Sequence, residues 1–248
     1  MGETDEAIVV LETLLEELST RLGPGHVTVG VTLNRLGASR SQRGEVVAAG
    51  RHYQRALDIF ETQLGLHHSQ TLITVGGLGH VAQVQGDFAK ARAMYRRVAR
   101  GLDGQRDVKR ADILNNLGVI ALELGDLDAA VQRYQTAIDV YTVVLGRTHP
   151  HVGIALFGLG YAHLQREEPD AAIAALEEAL AISIRDDPTQ GRRPSETRLW
   201  LAQALLAAGR DPQRTRAMLE NAAKGFEALG VPAVDRLHET QRVLADLK

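Results

Sequence analysis

A Leu-Gly pair marks time along this chain. It occurs at Leu36-Gly37, Leu78-Gly79, Leu117-Gly118 and Leu159-Gly160, and returns as Leu201-Ala202. Counted from the second residue of each pair, the steps are 42, 39, 42 and 42 residues. Seven residues after each mark stands Gly44, Gly86, Gly125, Glu167 or Gly209. Twelve after is Ala49, Ala91, Ala130 or Ala172; sixteen after, Tyr53, Tyr95, Tyr134 or Leu176; nineteen after, Ala56, Val98, Ala137 or Ala179. In the last copy one extra residue after the turn moves the final two to Leu219 and Ala222. Chance does not hold so many offsets in phase, so the chain is an array of one repeated unit.

The clearest copy is 112–145. Ile113, Leu114, Leu117, Ile120, Ala121 and Leu124 fall at spacings of three and four, the apolar stripe of one helix. Leu127, Ala130, Val131, Tyr134, Ala137, Ile138 and Tyr141 form the stripe of a second. Gly125-Asp126 between them reads as a helix stop followed by an N-cap. Neither stripe can be left in water, so the two helices pack on each other and on the neighbouring copies. Composition agrees: aromatics are 4% of the chain, and strand-like alternation is hard to find. The small residues at the mark and in the second helix sit where helices cross closely, and the aromatic fills the space beside that crossing.

The pattern extends past the five copies at both ends. Gly2, Ala7, Leu11, Leu14 and Leu15 lie 42 residues before Gly44, Ala49, Tyr53, Ala56 and Leu57. The start of the chain therefore supplies only the second helix of a repeat. Its unpaired face, Leu11, Leu14, Leu15 and Leu18, is a candidate for self-association. The expectation is a piece of a longer protein, with Met1 a cloning start. At the other end, 232–247 reads as one last helix, with Val234, Leu237, Val243, Leu244 and Leu247 inward, capping the array. The expected organisation is an array over 1–230 (half repeat 1–22, repeats 27–64, 69–101, 107–145, 150–184 and 194–230) followed by a capping helix over 231–248.

Catalytic and metal constellations are missing from the sequence. There is no cysteine, which removes thiol catalysis, disulfides and cysteine-bound zinc. No GxxxxGK[ST] occurs, and Gly76-Gly77-Leu78-Gly79 lies inside a helix without the strand that a phosphate loop needs. Those glycines make the first helix of the second copy the softest, at about 1 kcal/mol each. His26, His68 and His149 share one connector position, three residues after a glycine. That repetition favours loop packing or the capping of a helix end over metal binding. No enzyme, cofactor or metal is expected.

A net charge of −3 gives no general attraction to nucleic acid or anionic lipid. No apolar run approaches the ~20 residues that span a bilayer, and 1–7 has neither the basic nor the apolar part of a signal peptide. The expected location is the cytoplasm. Arg92, Arg96, Arg97 and Arg100 fall on one side of a helix. A solvated outer face is the simpler reading of them, and a patch for phosphate or an acidic partner the sharper one. The polar connector 186–194 is expected to be the most mobile loop.

Two-helix units with Leu-Gly, Gly, Ala, Tyr and Ala at these offsets resemble the tetratricopeptide repeat. The period exceeds the usual ~34 residues because the second helix is long. With connectors such as Leu145-Gly146-Arg147-Thr148-His149-Pro150 and the run Leu114-Asn115-Asn116-Leu117-Gly118, the chain is similar to the kinesin-light-chain class of that repeat. The segment Pro194-Ser195-Glu196-Thr197-Arg198-Leu199-Trp200-Leu201 and the run following it are similar to the ends of repeat regions attached to bacterial, myxobacterial-type Ser/Thr kinases.

The resemblance implies an all-α fold: a right-handed superhelical solenoid of antiparallel helix pairs with a C-terminal capping helix. It implies protein–protein interaction, with a peptide or partner protein in a groove lined by first helices. Carried over residue by residue, the groove positions expected to contact a partner are Asn34, Arg35 and Gln42 in the first copy, with Ser41 beside them, and His80 and Gln83 in the second. They continue with Asn115, Asn116 and Glu123 in the third, Phe157, Tyr161 and Gln165 in the fourth, and Trp200 and Gln203 in the fifth. Asn, Gln and His there bond a peptide backbone, and the three aromatics anchor side chains. No lysine occupies any of these positions, so the lysine–asparagine clamp for C-terminal carboxylates is absent. The implied role is the docking or sensing region of a larger bacterial signalling protein. The alternatives are a region regulating a kinase or protease in cis, and a self-assembly module.

Overall fold

The computed structural model describes residues 3–105, 107–187 and 191–247. Among these, all regular structure is helical: α1 (Glu3–Leu22), α2 (Val27–Gln42), α3 (Val46–Leu64), α4 (Ser69–Val84), α5 (Phe88–Gly101), α6 (Val108–Glu123), α7 (Leu127–Leu145), α8 (Pro150–Gln165), α9 (Pro169–Asp186), α10 (Arg192–Ala207), α11 (Pro212–Leu229) and α12 (Val234–Asp246). A 3₁₀ turn, Val231–Ala233, precedes the last helix. No described helix is long and apolar enough to cross a membrane.

The chain divides into two compact units, Met1–Gln105 and Arg106–Lys248, at the connector where the repeat step falls to 39 residues. The first unit holds α1 to α5 and the second α6 to α12. Within each, every helix packs on the next in sequence. First helices of successive repeats also touch, α2 with α4, α6 with α8 and α8 with α10, which makes them the inner layer of their unit.

The helix ends follow from backbone chemistry. At the turn inside a hairpin the chain passes through the left-handed region, where glycine carries no penalty: Gly125 has φ 73°. In the fourth hairpin Glu167 takes the same conformation at φ 60°. Asp87, Asp126 and Asp211 then cap α5, α7 and α11, their carboxylates accepting from backbone N–H three residues on. At the connectors the repeated histidines are caps too. Nδ1 of His26, His68 and His149 accepts from the N–H of Thr28, Gln70 and His151, each at 3.2 Å. Asp107 replaces them before α6, accepting from Arg110 N–H at 2.9 Å. Among the described residues no cluster of three or more His, Cys, Asp or Glu could hold a metal ion.

The repeated tyrosine is the keystone of the packing. Tyr53 and Tyr134 are buried, each against glycines of two first helices. A Cβ added at Gly37 would lie 2.8 Å from the Tyr53 ring, and one at Gly77 of the next repeat 2.7 Å from it. Tyr134 sits likewise between Gly118 and Gly158. Gly77, expected as a soft spot in its helix, is the surface on which a neighbour's ring lies. The fourth repeat has Leu176 in place of the tyrosine, and the glycine of the following repeat becomes Trp200, which packs against the same cluster. Within the two units, then, a tyrosine goes with a glycine on the next first helix and a leucine with a tryptophan; at the boundary between the units the position after Tyr95 is Asn116.

At the N-terminal end, Leu15 and Leu18 turn inward onto the cluster of Val29, Leu33, Ala56 and Phe60. They are therefore not part of an open face. The exposed apolar residues of α1 are Val9, Val10, Leu14 and Leu22. At the other end, Leu237, Val243, Leu244 and Leu247 pack on Leu199, Leu219 and Phe226. Val234 is exposed, and Ala233 of the 3₁₀ turn is buried instead. In the polar connector 186–194, α9 runs through Asp186 and α10 starts at Arg192, while 188–190 lie outside the described residues.

Candidate partner-binding site

In the first unit the groove positions are spread along α2 and α4. Arg35, Gln42 and His80 are exposed. Asn34 Oδ1 lies 3.0 Å from Thr74 Oγ1, tying α2 to α4, and Gln83 Oε1 accepts from the buried Tyr95 hydroxyl at 3.1 Å. The first of these bonds joins two repeats, and the second joins the two helices of one hairpin.

In the second unit the inner layer carries a built hollow of about 350 Å³, lined by Asp112, Asn115 and Asn116 of α6, Tyr141 of α7, and His151 and Ile154 of α8. Asp112, Asn115 and Asn116 share a helix face because they stand at i, i+3 and i+4. The Tyr141 hydroxyl donates to Asp112 Oδ1 at 2.6 Å. Burial first, then the bond to Asp112 and its charge, push the Tyr141 phenol far above its ordinary range, so it remains a donor. His151 meets the Tyr141 ring edge-on, with centroids 5.2 Å apart. Its Nδ1 lies 3.4 Å from Asp112 Oδ1, within ion-pair range but without hydrogen-bond geometry. Asn115 Oδ1 is buried and has no hydrogen-bond partner, an unusual state for a buried acceptor. A second hollow of about 570 Å³ shares Ile154 and continues past Phe157 to Asp186, Asp187, Arg192, Arg193 and Glu196.

The aromatic positions beyond it are half-buried rather than free. Phe157 packs between two core clusters. Tyr161 and Trp200 meet edge-on at 4.6 Å, and the Arg236 guanidinium of α12 lies 5.4 Å from the Trp200 ring centre. Gln203 Nε2 donates to Glu239 of α12 at 3.3 Å. Glu123 and Gln165 are exposed near the ends of their helices. The structure brings Asn115 and Asn116 together with Asp112, Tyr141 and His151, which the groove positions do not include. The face shared by Asp112 and the two asparagines was the available signal for the first of these. His151 was masked by its neighbour His149, whose ring serves as a cap.

Stacked helix hairpins with a layer of first helices on one side define a helical-repeat protein, a class that presents surfaces rather than reactive groups. The chain belongs to the tetratricopeptide repeat family: the family model matches residues 28–103 and 109–185, and a second tetratricopeptide repeat model matches 195–213. Members of this family are generally non-catalytic scaffolds for protein–protein contact.

Among curated proteins, the chain is 24% identical over 186 residues to Protein KINESIN LIGHT CHAIN-RELATED 3 of Arabidopsis thaliana. That match covers 73% of this chain and 28% of the relative, so the chain spans little more than a quarter of it. Among solved structures, BtubC (BKLC) from P. vanneervenii superposes with a TM-score of 0.75 at 22% identity, covering 93% of this chain and 94% of that one. The apo form of RapI gives 0.71 at 15% identity over 99% of this chain and 91% of that one. YrrB, described as a TPR protein with an unusual peptide-binding site, gives 0.56 at 15% identity, over 84% and 90% respectively. These likenesses establish a kinesin-light-chain-like tetratricopeptide fold.

Proposed function

We propose that this chain binds a peptide segment of a partner protein on the inner face of its second unit, centred on the hollow between α6, α7 and α8. The observation that carries this reading is the set of polar groups around that hollow. Asn115 and Asn116 present amides at successive positions, and Asp112 is held in place by the Tyr141 hydroxyl. Paired amides beside an oriented carboxylate suit the alternating donors and acceptors of an extended backbone. Asn34, Arg35, Gln42, His80 and Gln83 offer a comparable, more scattered face in the first unit. Glu123, Phe157, Tyr161, Gln165, Trp200 and Gln203 extend the face in the second. The segment itself catalyses no reaction in this reading and works in the cytoplasm. It serves as the docking or sensing region of a larger bacterial signalling protein. That reading rests on the resemblance of 194–219 to repeat regions attached to bacterial Ser/Thr kinases and is in keeping with the quarter-length match to longer relatives.

Selection of a random peptide display library on the full chain, with counter-selection on the Asn115→Ala/Asn116→Ala variant, tests the proposal. Peptides that bind the parent and lose about tenfold or more on the variant, roughly 1.4 kcal/mol, support it. Enriched peptides that bind both proteins equally reject the hollow as the site.

A further inference from the structure

α5 has the sequence FAKARAMYRRVARG: five cations and no acid in 14 residues, in a chain whose net charge is −3. Ala91, Tyr95 and Val98 form its buried face. Arg92, Arg96 and Arg100 stand at i, i+4 and i+8 on the other side, with exposed Ala89 and Ala93 on the row beside them. Arg97 is occupied by Glu61 of α3 at 2.6 Å. The other three arginines make no hydrogen bond or ion pair with any described residue. Three outward arginines of the second unit are paired: Arg147 with Glu178, Arg210 with Asp170 and Arg214 with Glu177, each across neighbouring repeats. The acids nearest α5 in sequence are committed elsewhere, Asp87 to the helix cap and Asp103 to the N–H of Gly104.

We propose that the outer face of α5 is a second interaction surface, and that its partner is an acidic segment of another protein. A rise of 1.5 Å per residue repeats the arginine row every ~6 Å. A partner helix with carboxylates at i and i+4 presents the same spacing, as does an extended segment carrying them on alternate residues. Guanidinium forks take carboxylates two bonds at a time. The short side chains of Ala89 and Ala93 beside the row let a partner backbone come close to it. Nucleic acid fits less well, because the face has no exposed aromatic on which a base could stack and the chain as a whole is anionic.

Fluorescence anisotropy of a labelled polyglutamate peptide on the full chain reads this out. Arg92→Ala/Arg96→Ala/Arg100→Ala is expected to weaken binding about tenfold or more. The matching triple lysine variant keeps charge but not the fork and should fall between. Circular dichroism confirms that both variants fold. Unchanged affinity in the alanine variant overturns the proposal, and so does a labelled oligothymidylate that binds the parent more tightly than polyglutamate does.

Discussion

Gly158→Ala adds a single methyl group at the point where α8 meets the Tyr134 ring. The new carbon would lie 2.5 Å from Cε1 and Cζ of that ring and 2.9 Å from its hydroxyl oxygen. The ring cannot back away, because Gly118 already closes its other side, where an added Cβ would lie only 2.8 Å from the ring. Forcing a methyl group into such a core costs about 1–3 kcal/mol. Replacing glycine by alanine within a helix returns about 0.8–1 kcal/mol. With the ring held on both sides the cost falls at the upper end of that range, so the net expectation is a loss of about 2 kcal/mol. Tyr134→Leu on its own leaves a partly filled cavity, whereas Tyr134→Leu/Gly158→Ala refills part of it from the facing helix, as Trp200 does beside Leu176 in the next repeat. The pair should therefore be more stable than the sum of its single changes by at least ~0.5 kcal/mol. Urea denaturation followed by circular dichroism gives all three values. A Gly158→Ala protein as stable as its parent, or strict additivity in the double variant, refutes the account of the tyrosine as a ring clamped between two glycines.

Three further expectations follow from the same geometry. His149→Ala should cost about 1 kcal/mol by removing the cap of α8, and His149→Asp should restore most of it, as Asp107 does for α6; thermal denaturation checks both. Arg198 is buried, its Nη1 lacks a partner, and burial pulls its pKa down. Because Leu33, Val75, Leu114 and Leu156 fill the equivalent positions, Arg198→Leu should stabilise the chain by about 1–3 kcal/mol in the same assay. Burial raises the phenols of Tyr53, Tyr95, Tyr134 and Tyr141, that of Tyr95 to about 12. Below pH ~10 these groups are protonated in both folded and unfolded chains and leave stability unchanged. As pH rises above that value the unfolded chain ionises first, so stability falls, and an ultraviolet titration should show their phenolate signal appearing together with loss of helix.

The repeat was fully legible because its period is written in residue types whose size matters: the Leu-Gly mark, the turn glycine and the tyrosine are steric requirements. The histidine caps were half legible, since recurrence at a connector pointed to structure but not to which ring nitrogen does the capping. The groove was legible only as positions on a helix. Asn115 and Asn116 do line a hollow, with Asp112 of their own helix face, yet Tyr141 and His151 join them through inter-helix register, which no single helix records. Phe157, Tyr161 and Trp200 have the residue types of anchors, but their exposure depends on neighbouring repeats and on the arrival of Arg236 from α12.

The tyrosine that one repeat plants against a glycine of the next has a consequence for how such a chain can grow or be rebuilt. The portable module is not the hairpin that the eye picks out. A duplicated or transplanted copy carries the socket for its predecessor's ring at one end and its own ring at the other, and both must match. The copy containing Trp200 can follow one ending in Leu176, but following one that ends in tyrosine it would drive two rings into a single space. Repeats in this chain therefore have grammar as well as rhythm, and shuffling them will yield folded proteins only where the junctions agree.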